Sequence, residues 1–228
     1  MFVSAIVVAA GQGRRFGHKV SKAVLRLNSR PLIAYSLGIL NALPQVKEII
    51  VVGNPLNIRA LRSITRQNKI AKAIKVILGG KERRDSVAQG LKAVNPRADF
   101  ILIHDAVRPF ITRGLAACVL KEAQKSGAAI AAVPVKATIK KADHKGCVEK
   151  SVDRDNLWEV QTPQVFARDL ILKAYKKFGR FKATDDALLV EKSGKQVKIV
   201  LGLSHNIKIT TPEDFLIAKG IAGLWKAA

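Results

Sequence analysis

Short apolar runs rich in β-branched residues alternate with amphipathic segments along nearly the whole chain. The apolar runs predict strands at residues 5–9, 48–53, 74–78, 100–103, 129–133 and 197–201. Apolar residues at helical spacing predict helices at residues 31–40, 58–64, 87–94, 115–123, 170–178 and 215–221. This alternation predicts an α/β fold with a Rossmann-like, mainly parallel sheet flanked by helices. Ligands of such sheets bind at the carboxyl ends of the strands.

The segment from Pro134 to Trp158 departs from this alternation. Two runs of alternating polar and apolar residues flank the turn residues Asp143 to Gly146, which is the pattern of a β-hairpin. We therefore predict a projecting β-hairpin arm at residues 135–155 within one domain that spans residues 1–228. Such an arm serves as a lid, as an oligomerisation arm or as a plain surface loop, and the pattern alone leaves these alternatives open.

Composition indicates a folded, cytoplasmic protein that does not bind membranes. The chain has 228 residues, of which 48% are hydrophobic, and this is enough to build one good core. No stretch approaches the roughly 20 apolar residues that cross a bilayer, and the first residues lack the basic region of a signal peptide. The two cysteines, Cys118 and Cys147, are too few for a disulfide framework and have no metal-binding spacing.

The charge balance is strongly basic, with 40 Lys and Arg against 17 Asp and Glu and a formal net charge of +23. Such a surface attracts polyanions of any kind. The basic residues are nevertheless spread from Arg14 to Lys226, without a dense run or an aromatic-interleaved patch. We expect no specific nucleic-acid partner, and a basic nucleic-acid-binding protein stays as an alternative from another functional class.

The first predicted strand leads directly into a glycine-rich loop that carries two arginines. Gly11 and Gly13 lie in this loop, Arg14 and Arg15 follow, and Lys22 comes shortly after. Glycines let backbone N–H groups approach a phosphate closely, and the cations neutralise its charge. The loop therefore predicts a cradle for an anionic ligand, with an ordinary turn as the alternative.

The same loop disfavours two other nucleotide-binding folds. A nicotinamide-binding protein needs a glycine where this chain has Phe16, and an acidic residue near Gly53 where it has none. A P-loop needs Gly-Lys followed by Ser or Thr, and that motif does not follow this loop.

Polar clusters also follow the third and fourth predicted strands. The Gly79-Gly80 pair permits close backbone approach, and Ser86 is either a ligand contact or simply the cap of the next helix. Asp105 suits a divalent metal and Arg108 suits an anion, with an ordinary surface ion pair as the alternative.

These motifs occur in a definite order along the chain. They are residues 9–15, Lys22, residues 79–86, 104–109, 152–154, 162–164, 184–187 and 206–214. In this order the chain resembles the 2-C-methyl-D-erythritol 4-phosphate cytidylyltransferases of the non-mevalonate isoprenoid pathway, from about Ala5 to Phe215. The related activity on ribitol 5-phosphate shares much of this set, so a ribitol-5-phosphate cytidylyltransferase stays open as an alternative.

The resemblance implies a nucleotidyltransferase fold and transfer of the cytidylyl group of CTP to methylerythritol phosphate, with release of pyrophosphate. It implies Mg²⁺ or another divalent cation as cofactor, with Asp105 facing the metal. The catalytic residues that it implies are Arg15, Lys22 and Arg154. The CTP-binding residues that it implies are Ala9, Ala10, Gly11, Gly13, Gly79, Gly80, Arg83, Ser86, Asp105, Ala106 and Lys208.

The resemblance also implies the acceptor site and the assembly. The partners would be CTP and a sugar-alcohol phosphate, and the acceptor would contact Arg108, Thr138, Arg154, Thr162 and Thr184. In the family the hairpin arm crosses to a second subunit, so the resemblance implies a homodimer. Thr138 and Arg154 would then complete the neighbouring subunit's site.

The chain departs from the family pattern at several positions near the implied site. Ser21 stands where a proline usually precedes the catalytic lysine, and we expect a looser loop there. Lys81 replaces an aspartate that commonly follows the glycine pair, and His205 replaces an acidic residue before Asn206.

Overall fold

The structure is a computed structural model, and it describes residues 1–11, 13 and 21–224. Its strands are β1 (Val3–Val8), β2 (Arg26–Leu27), β3 (Arg30–Pro31), β4 (Val46–Gly53), β5 (Ala73–Leu78), β6 (Phe100–Asp105), β7 (Ala128–Pro134), β8 (Ile139–Ala142), β9 (Val148–Val152), β10 (Trp158–Ala167) and β11 (Lys198–Leu201). Its α-helices are α1 (Leu32–Ala42), α2 (Ile58–Gln67), α3 (Arg83–Ala93), α4 (Arg113–Ser126), α5 (Arg168–Phe178), α6 (Ala187–Lys192) and α7 (Pro212–Leu224). Within the described residues, a 3₁₀ turn covers Lys22–Val24.

Seven strands form one mainly parallel sheet in the order β11-β7-β10-β6-β1-β4-β5. β10 runs antiparallel to both of its neighbours, and the other pairs of neighbours are parallel. Parallel strands need long crossovers, and the helices between them supply these connections. The predicted α/β fold is confirmed, and so is every strand predicted from the apolar runs.

The two faces of the sheet are covered by different sets of helices. On one face, Val3, Ala5 and Val7 of β1 belong to a buried cluster that α1, α2 and α4 complete. On the other face, Ile6 and Val8 belong to a cluster completed by α3, α5 and α6. Because side chains alternate along a strand, one apolar run supplies both cores. This double burial is what the continuous apolar runs of the sequence indicate.

β10 is the largest element that the sequence analysis did not predict. Its centre contains Pro163, which has no backbone N–H to donate and which therefore argues against a central strand in a sequence. The pairing with β7 is irregular between Val160 and Gln164, and the Thr162–Pro163 peptide bond is cis. The strand accommodates the proline at this irregularity and carries Thr162 to the edge of the sheet beside β6.

The predicted hairpin is confirmed as a two-stranded sheet of its own, made of β8 and β9. The strands are antiparallel, with Ile139 opposite Val152. At the turn, the Asp143 carboxylate accepts the Cys147 N–H at 2.9 Å, and Gly146 has a φ of 82°, which a glycine adopts without strain. Most side chains of the hairpin are exposed.

None of the helices in the described part of the chain combines the length and the apolar character that crossing a membrane requires. Both cysteines are free and exposed.

Candidate active site

A cavity of about 550 Å³ opens at the carboxyl ends of β1 and β6 and beside the start of α3. It contains most of the residues implied for CTP binding. Those that line it are Ala9, Ala10, Gly11, Gly13, Gly80, Arg83, Ser86, Asp105 and Lys208, and the implied catalytic residue Lys22 lines it too. Lys81 and Thr210 line it as well. Its walls therefore combine glycine backbone with several cations, as an anionic nucleotide requires.

The glycine loop begins where β1 ends. Ala9 donates its backbone N–H to the Val52 carbonyl at 2.7 Å, which extends the strand pairing to the edge of the cavity. Gly13 has a φ of 67°, a left-handed conformation that favours glycine. Arg15, which the family resemblance implies as catalytic, lies outside the described residues.

The Gly79-Gly80 pair packs against the first turn of α3. A β-carbon added to Gly79 would lie 2.5 Å from the Ser86 hydroxyl oxygen, and one added to Gly80 would lie 2.3 Å from the β-carbon of Asp85. The backbone can pass this close to the helix only because both residues lack a side chain.

Ser86 is not the cap of α3, so that alternative is wrong. Glu82 is the N-cap residue, and Glu82 and Asp85 form a reciprocal capping box. Ser86 lies one turn further on, where its hydroxyl accepts the Gly80 N–H at 3.2 Å and donates to the Glu82 carbonyl at 3.0 Å. The hydroxyl thereby ties the glycine pair to the helix at the cavity wall.

Asp105 is the centre of a buried charge network. Its carboxylate accepts from the Arg83 Nε at 2.9 Å and pairs with the Lys208 Nζ at 2.6 Å. Burial by itself would raise the pKa of Asp105, but Arg83 and Lys208 outweigh it and hold this pKa far below its usual range. The surface ion pair considered from sequence is therefore wrong for Asp105, which is 5% exposed.

Arg83 joins Asp105 to a second carboxylate, Asp186, at 2.8 Å. Burial opposes the charge of Arg83, yet the two carboxylates raise its pKa above the ordinary value. Asp186 also accepts from the Tyr175 hydroxyl at 2.5 Å. Burial, and to a smaller extent the charge of Asp186, raise the pKa of that hydroxyl. These contacts fix the Arg83 guanidinium in one orientation.

A second cavity of about 410 Å³ lies beside the first, next to β10 and α6. Three residues implied for the acceptor, Arg108, Thr162 and Thr184, line it. Arg83, Asp105 and Lys208 line both cavities and so form the wall between them. Ligands in the two cavities would meet at this shared wall.

Arg108 is a buried cation in the second cavity, with 6% exposure, so the surface alternative is wrong here too. Its guanidinium donates to the Asn206 carbonyl at 2.7 Å and to the Val160 carbonyl at 3.2 Å. Within the described residues, no carboxylate forms an ion pair with it. Burial lowers the pKa of Arg108, and an anionic ligand would compensate its charge.

His104 and Thr162 connect β6 to β10 beneath the site. Because the Arg108 carbonyl can only accept, His104 carries its proton on Nε2, 3.2 Å from that oxygen. The His104 Nδ1 then accepts from the Thr162 hydroxyl at 3.0 Å, and this hydroxyl accepts the Asp105 N–H at 3.1 Å. The network holds Asp105 and Thr162 in register and requires a neutral imidazole.

Burial lowers the pKa of His104 to about 4; the charge of Asp105 and the hydrogen bond to the Arg108 carbonyl oppose this shift, and the charges of Arg108 and Arg83 add to it. In the unfolded chain histidine binds a proton near pH 6.5, so the folded protein loses stability as the pH falls from 6.5 toward 4. We expect the free energy of unfolding to be about 2 kcal/mol lower at pH 5 than at pH 7 for this residue alone.

Urea unfolding at both pH values measures this loss. His205, whose pKa burial also lowers, adds in the same direction. The His104→Asn variant should therefore lose clearly less stability between pH 7 and pH 5 than the wild-type protein. An equal loss in both proteins would contradict the assignment.

Lys22 reaches the first cavity from the 3₁₀ turn. Its Nζ donates to the Thr210 carbonyl at 3.0 Å. The loop for which a looser structure is expected, residues 14–20, lies outside the described residues. Ser21 itself is buried, and its hydroxyl accepts from the Asn57 side chain at 2.7 Å.

The remaining implied residues in the described part of the chain do not line either cavity. Gly79 and Ala106 lie beside the first cavity without lining it, and Ala106 donates its N–H to the Val8 carbonyl at 3.0 Å. Thr138 and Arg154 are exposed at the base of the hairpin and line neither cavity of their own chain.

Two groups of side chains at the candidate site were not predicted from the sequence. Asp186 was part of the Thr-Asp-Asp motif, but only the fold shows that it lies on Arg83. Asn54 and Asn57 follow β4 and donate hydrogen bonds to the Ala10 and Ala9 carbonyls at the start of the glycine loop. Their position after a buried strand was the available signal.

Comparison with known proteins places the chain in one family. The family model described as "IspD: 2-C-methyl-D-erythritol 4-phosphate cytidylyltransferase" matches residues 3–223. The 2-C-methyl-D-erythritol 4-phosphate cytidylyltransferase of Alkaliphilus metalliredigens is 41% identical over 222 residues, which cover 96% of this chain and 92% of that protein. The protein of the same name from Shouchella clausii is 44% identical over 224 residues, covering 97% and 96%.

Solved structures agree with the sequence comparisons. The crystal structure of 4-diphosphocytidyl-2C-methyl-D-erythritol synthase from Anaerococcus prevotii superposes with a TM-score of 0.85 at 32% identity, covering 97% of this chain and 96% of the other. That of the Thermus thermophilus cytidylyltransferase gives 0.78 at 32% identity, covering 98% and 100%.

Proposed function

The chain belongs to the 2-C-methyl-D-erythritol 4-phosphate cytidylyltransferase family, and we propose that it carries out this cytidylyl transfer across its two adjoining cavities. CTP occupies the first cavity and the sugar-alcohol phosphate occupies the second. The observation that carries this allocation is the shared wall of Arg83, Asp105 and Lys208.

The reaction joins two anions. An oxygen of the acceptor phosphate attacks the α-phosphorus of CTP, the bond between the α-phosphorus and the bridging oxygen breaks, and pyrophosphate leaves. No proton transfer is needed, so the protein has to position the reactants and stabilise charge on the phosphorus. Lys22 and Lys208 both line the CTP cavity and supply positive charge there. Asp105, bonded to both Arg83 and Lys208, keeps these cations in place.

The cytosine ring lies against the glycine pair and Ser86. Neither glycine has a side chain to block the base, and Gly80 and the Ser86 hydroxyl line the cavity. Backbone groups and a hydroxyl are both donors and acceptors, which suits the amine and carbonyl edge of cytosine. Ala9, Ala10, Gly11 and Gly13 provide the backbone that surrounds the phosphates.

The acceptor phosphate binds near Arg108. Its guanidinium is buried and bonded to carbonyl oxygens, so the charge is available to compensate an anion. Thr162 and Thr184 line the same cavity and offer hydroxyl groups to the polyol.

Mg²⁺ is part of the proposal, and Asp105 is the residue that fits it. Mg²⁺ is usually bound through one or two carboxylates together with substrate phosphates and water. The described residues contain no cluster of three or more His, Cys, Asp or Glu side chains that would hold a metal without substrate. A buried carboxylate at the wall of a triphosphate cavity matches the first pattern. When bound, the ion would neutralise phosphate charge.

We also propose a homodimer in which the hairpin arm of one subunit reaches the site of the other. Thr138 and Arg154 lie outside both cavities of their own chain, although the family resemblance assigns them to the acceptor. An isologous dimer would place them at the partner's site. The two free cysteines suit a reducing cytoplasm, which we propose as the location.

Product analysis tests the proposed function. The protein with CTP, Mg²⁺ and 2-C-methyl-D-erythritol 4-phosphate should form a product with the mass of 4-diphosphocytidyl-2-C-methyl-D-erythritol. Replacing CTP by ATP should give none. Absence of the product with CTP would contradict the proposal.

Metal removal is a separate prediction. Excess EDTA should lower product formation to background, because charge on the triphosphate would then be neutralised by protein cations alone. Added Mg²⁺ should restore it. Full activity in EDTA would contradict the metal assignment.

A further inference from the structure

Two buried asparagines after β4 bond to the first residues of the glycine loop. Asn57 donates from Nδ2 to the Ala9 carbonyl at 2.8 Å and to the Ser21 hydroxyl at 2.7 Å. Asn54 donates from Nδ2 to the Ala10 carbonyl at 3.0 Å. One carboxamide, that of Asn57, therefore holds both the residue where the loop begins and the residue that precedes Lys22.

The orientation of the Asn57 carboxamide follows from its partners. Its Oδ1 accepts the Asn54 N–H at 2.7 Å, and its Nδ2 faces two oxygens. With the amide reversed, Oδ1 would face the Ala9 carbonyl and no donor would be left for that oxygen. The side chain is 2% exposed, so water does not replace these bonds.

The position of Asn57 makes this arrangement unusual. It is the N-cap residue of α2, where an asparagine side chain normally accepts an N–H of its own helix, but its side chain makes no such bond. Its Oδ1 accepts the Asn54 N–H instead, and its Nδ2 donates to Ala9, just after β1, and to Ser21. Gly53 leaves room for it, since a β-carbon there would lie 2.7 Å from the Asn57 Oδ1. A carboxamide at a helix N-terminus that donates to residues 36 and 48 positions away, and accepts from none of the N–H groups of its own helix, points to a role in the site.

Ser21 transmits this constraint to Lys22. The Ser21 carbonyl accepts the Val24 N–H at 3.1 Å, and the 3₁₀ turn that contains Lys22 begins with this bond. Lys22 in turn reaches the Thr210 carbonyl at the cavity wall. The sequence of contacts is thus Asn57 to Ser21, Ser21 to the turn, and the turn to the lysine.

We propose that Asn57 is a positioning residue that fixes Ala9, at the start of the glycine loop, and Lys22 relative to each other for catalysis. The inference rests on the proposed function in its use of CTP and Lys22. At position 21 the family usually has a proline. In this chain the Ser21 hydroxyl supplies the acceptor that the Asn57 carboxamide needs.

Three variants test the inference. Asn57→Asp keeps the shape but places a carboxylate oxygen against the Ala9 carbonyl, and kcat should fall about 10-fold or more. Ser21→Ala removes only the hydroxyl and is the milder variant should Asn57→Asp fail to fold; kcat should fall about 3- to 10-fold. Asn68→Asp, at the other end of α2, is the matched control. Its kcat should stay within about twofold of wild type.

Coupling to Lys22 separates positioning from a purely structural role. Single-turnover rates should show that Ser21→Ala has no further effect on a Lys22→Ala protein, because the hydroxyl acts through the lysine. An equal fold-loss in both backgrounds would overturn the inference. So would unchanged kcat in Ser21→Ala and in a folded Asn57→Asp.

Titration calorimetry with CTP and no acceptor gives a readout that does not depend on turnover. Asn57→Asp should weaken CTP binding, and Asn68→Asp should not. If the wild-type protein binds CTP but forms no product, the proposed acceptor is wrong. The CTP affinities of the wild-type and Asn57→Asp proteins can still be compared. Equal CTP affinity in the wild-type protein and a folded Asn57→Asp would overturn the inference.

Discussion

Replacing Lys22 by alanine is expected to lower kcat by about 100- to 1000-fold, the usual effect of removing one preorganised donor to a developing charge. Lys22 lines the CTP cavity, where its Nζ is held at 3.0 Å from the Thr210 carbonyl. The negative charge around the α-phosphorus changes most in the transition state, so the loss should fall mainly on kcat and less on the KM for CTP.

Steady-state rates of pyrophosphate release measure this effect. Lys121→Ala is a suitable control because Lys121 is exposed on α4 and lines neither cavity. It changes the net charge by the same amount and should leave kcat unchanged. Wild-type kcat in the Lys22→Ala protein would contradict the role assigned to this lysine.

Replacing Arg154 by alanine is expected to lower kcat by about 100-fold, as a misplaced acceptor phosphate would. Arg154 lies at the base of the hairpin, where it donates to the Lys136 carbonyl, and it lines neither cavity of its own chain. An effect of this size therefore requires Arg154 to reach the site of a second subunit. Arg113→Ala, at an exposed position on α4, is the matched control and should have little effect.

Mixing subunits tests that requirement directly. In a dimer of one Lys22→Ala and one Arg154→Ala subunit, one site lacks both cations and the other has both. If sites are shared, refolding or re-associating an equal mixture should recover about a quarter of wild-type activity, because half of the dimers are mixed and each has one intact site. No recovery, in a mixture shown to contain mixed dimers, would mean that each subunit works alone.

Much of the fold was predictable because parallel strands buried on both faces are continuous apolar runs. The continuous apolar runs of β1 and β4 predicted buried strands, and the apolar spacing of the segments between strands predicted the helices. β10 was not predictable in the same way, since Pro163 argues against a central strand and only pairing with β6 and β7 accommodates it. The short helix α6 has too few turns for its periodicity to be detected.

The site was predictable as a set of motifs but not as a network of contacts. Gly13, Lys22 and Asp105 follow strands, and strand ends meet at one edge of the sheet. Nothing in the sequence indicates that Arg83 joins Asp105 to Asp186, because such pairings join residues about 20 to 100 positions apart that only the fold brings together.

The roles of Ser21 and Asn57 show the same limit. A serine in place of proline suggested a looser loop, since the fixed φ of proline is lost. The structure instead gives Ser21 a buried hydrogen bond to Asn57, a partner 36 positions away. A substitution that removes one constraint can supply another, and only the tertiary contact shows which one.

The acceptor preference of the wild-type enzyme is the most direct test of the account. We would measure kcat/KM for pyrophosphate release with CTP and Mg²⁺, using 2-C-methyl-D-erythritol 4-phosphate and ribitol 5-phosphate in parallel, with a reaction lacking acceptor as background. We expect release that depends on 2-C-methyl-D-erythritol 4-phosphate and exceeds that with ribitol 5-phosphate. Release only with ribitol 5-phosphate, or none above background with either acceptor, would contradict it.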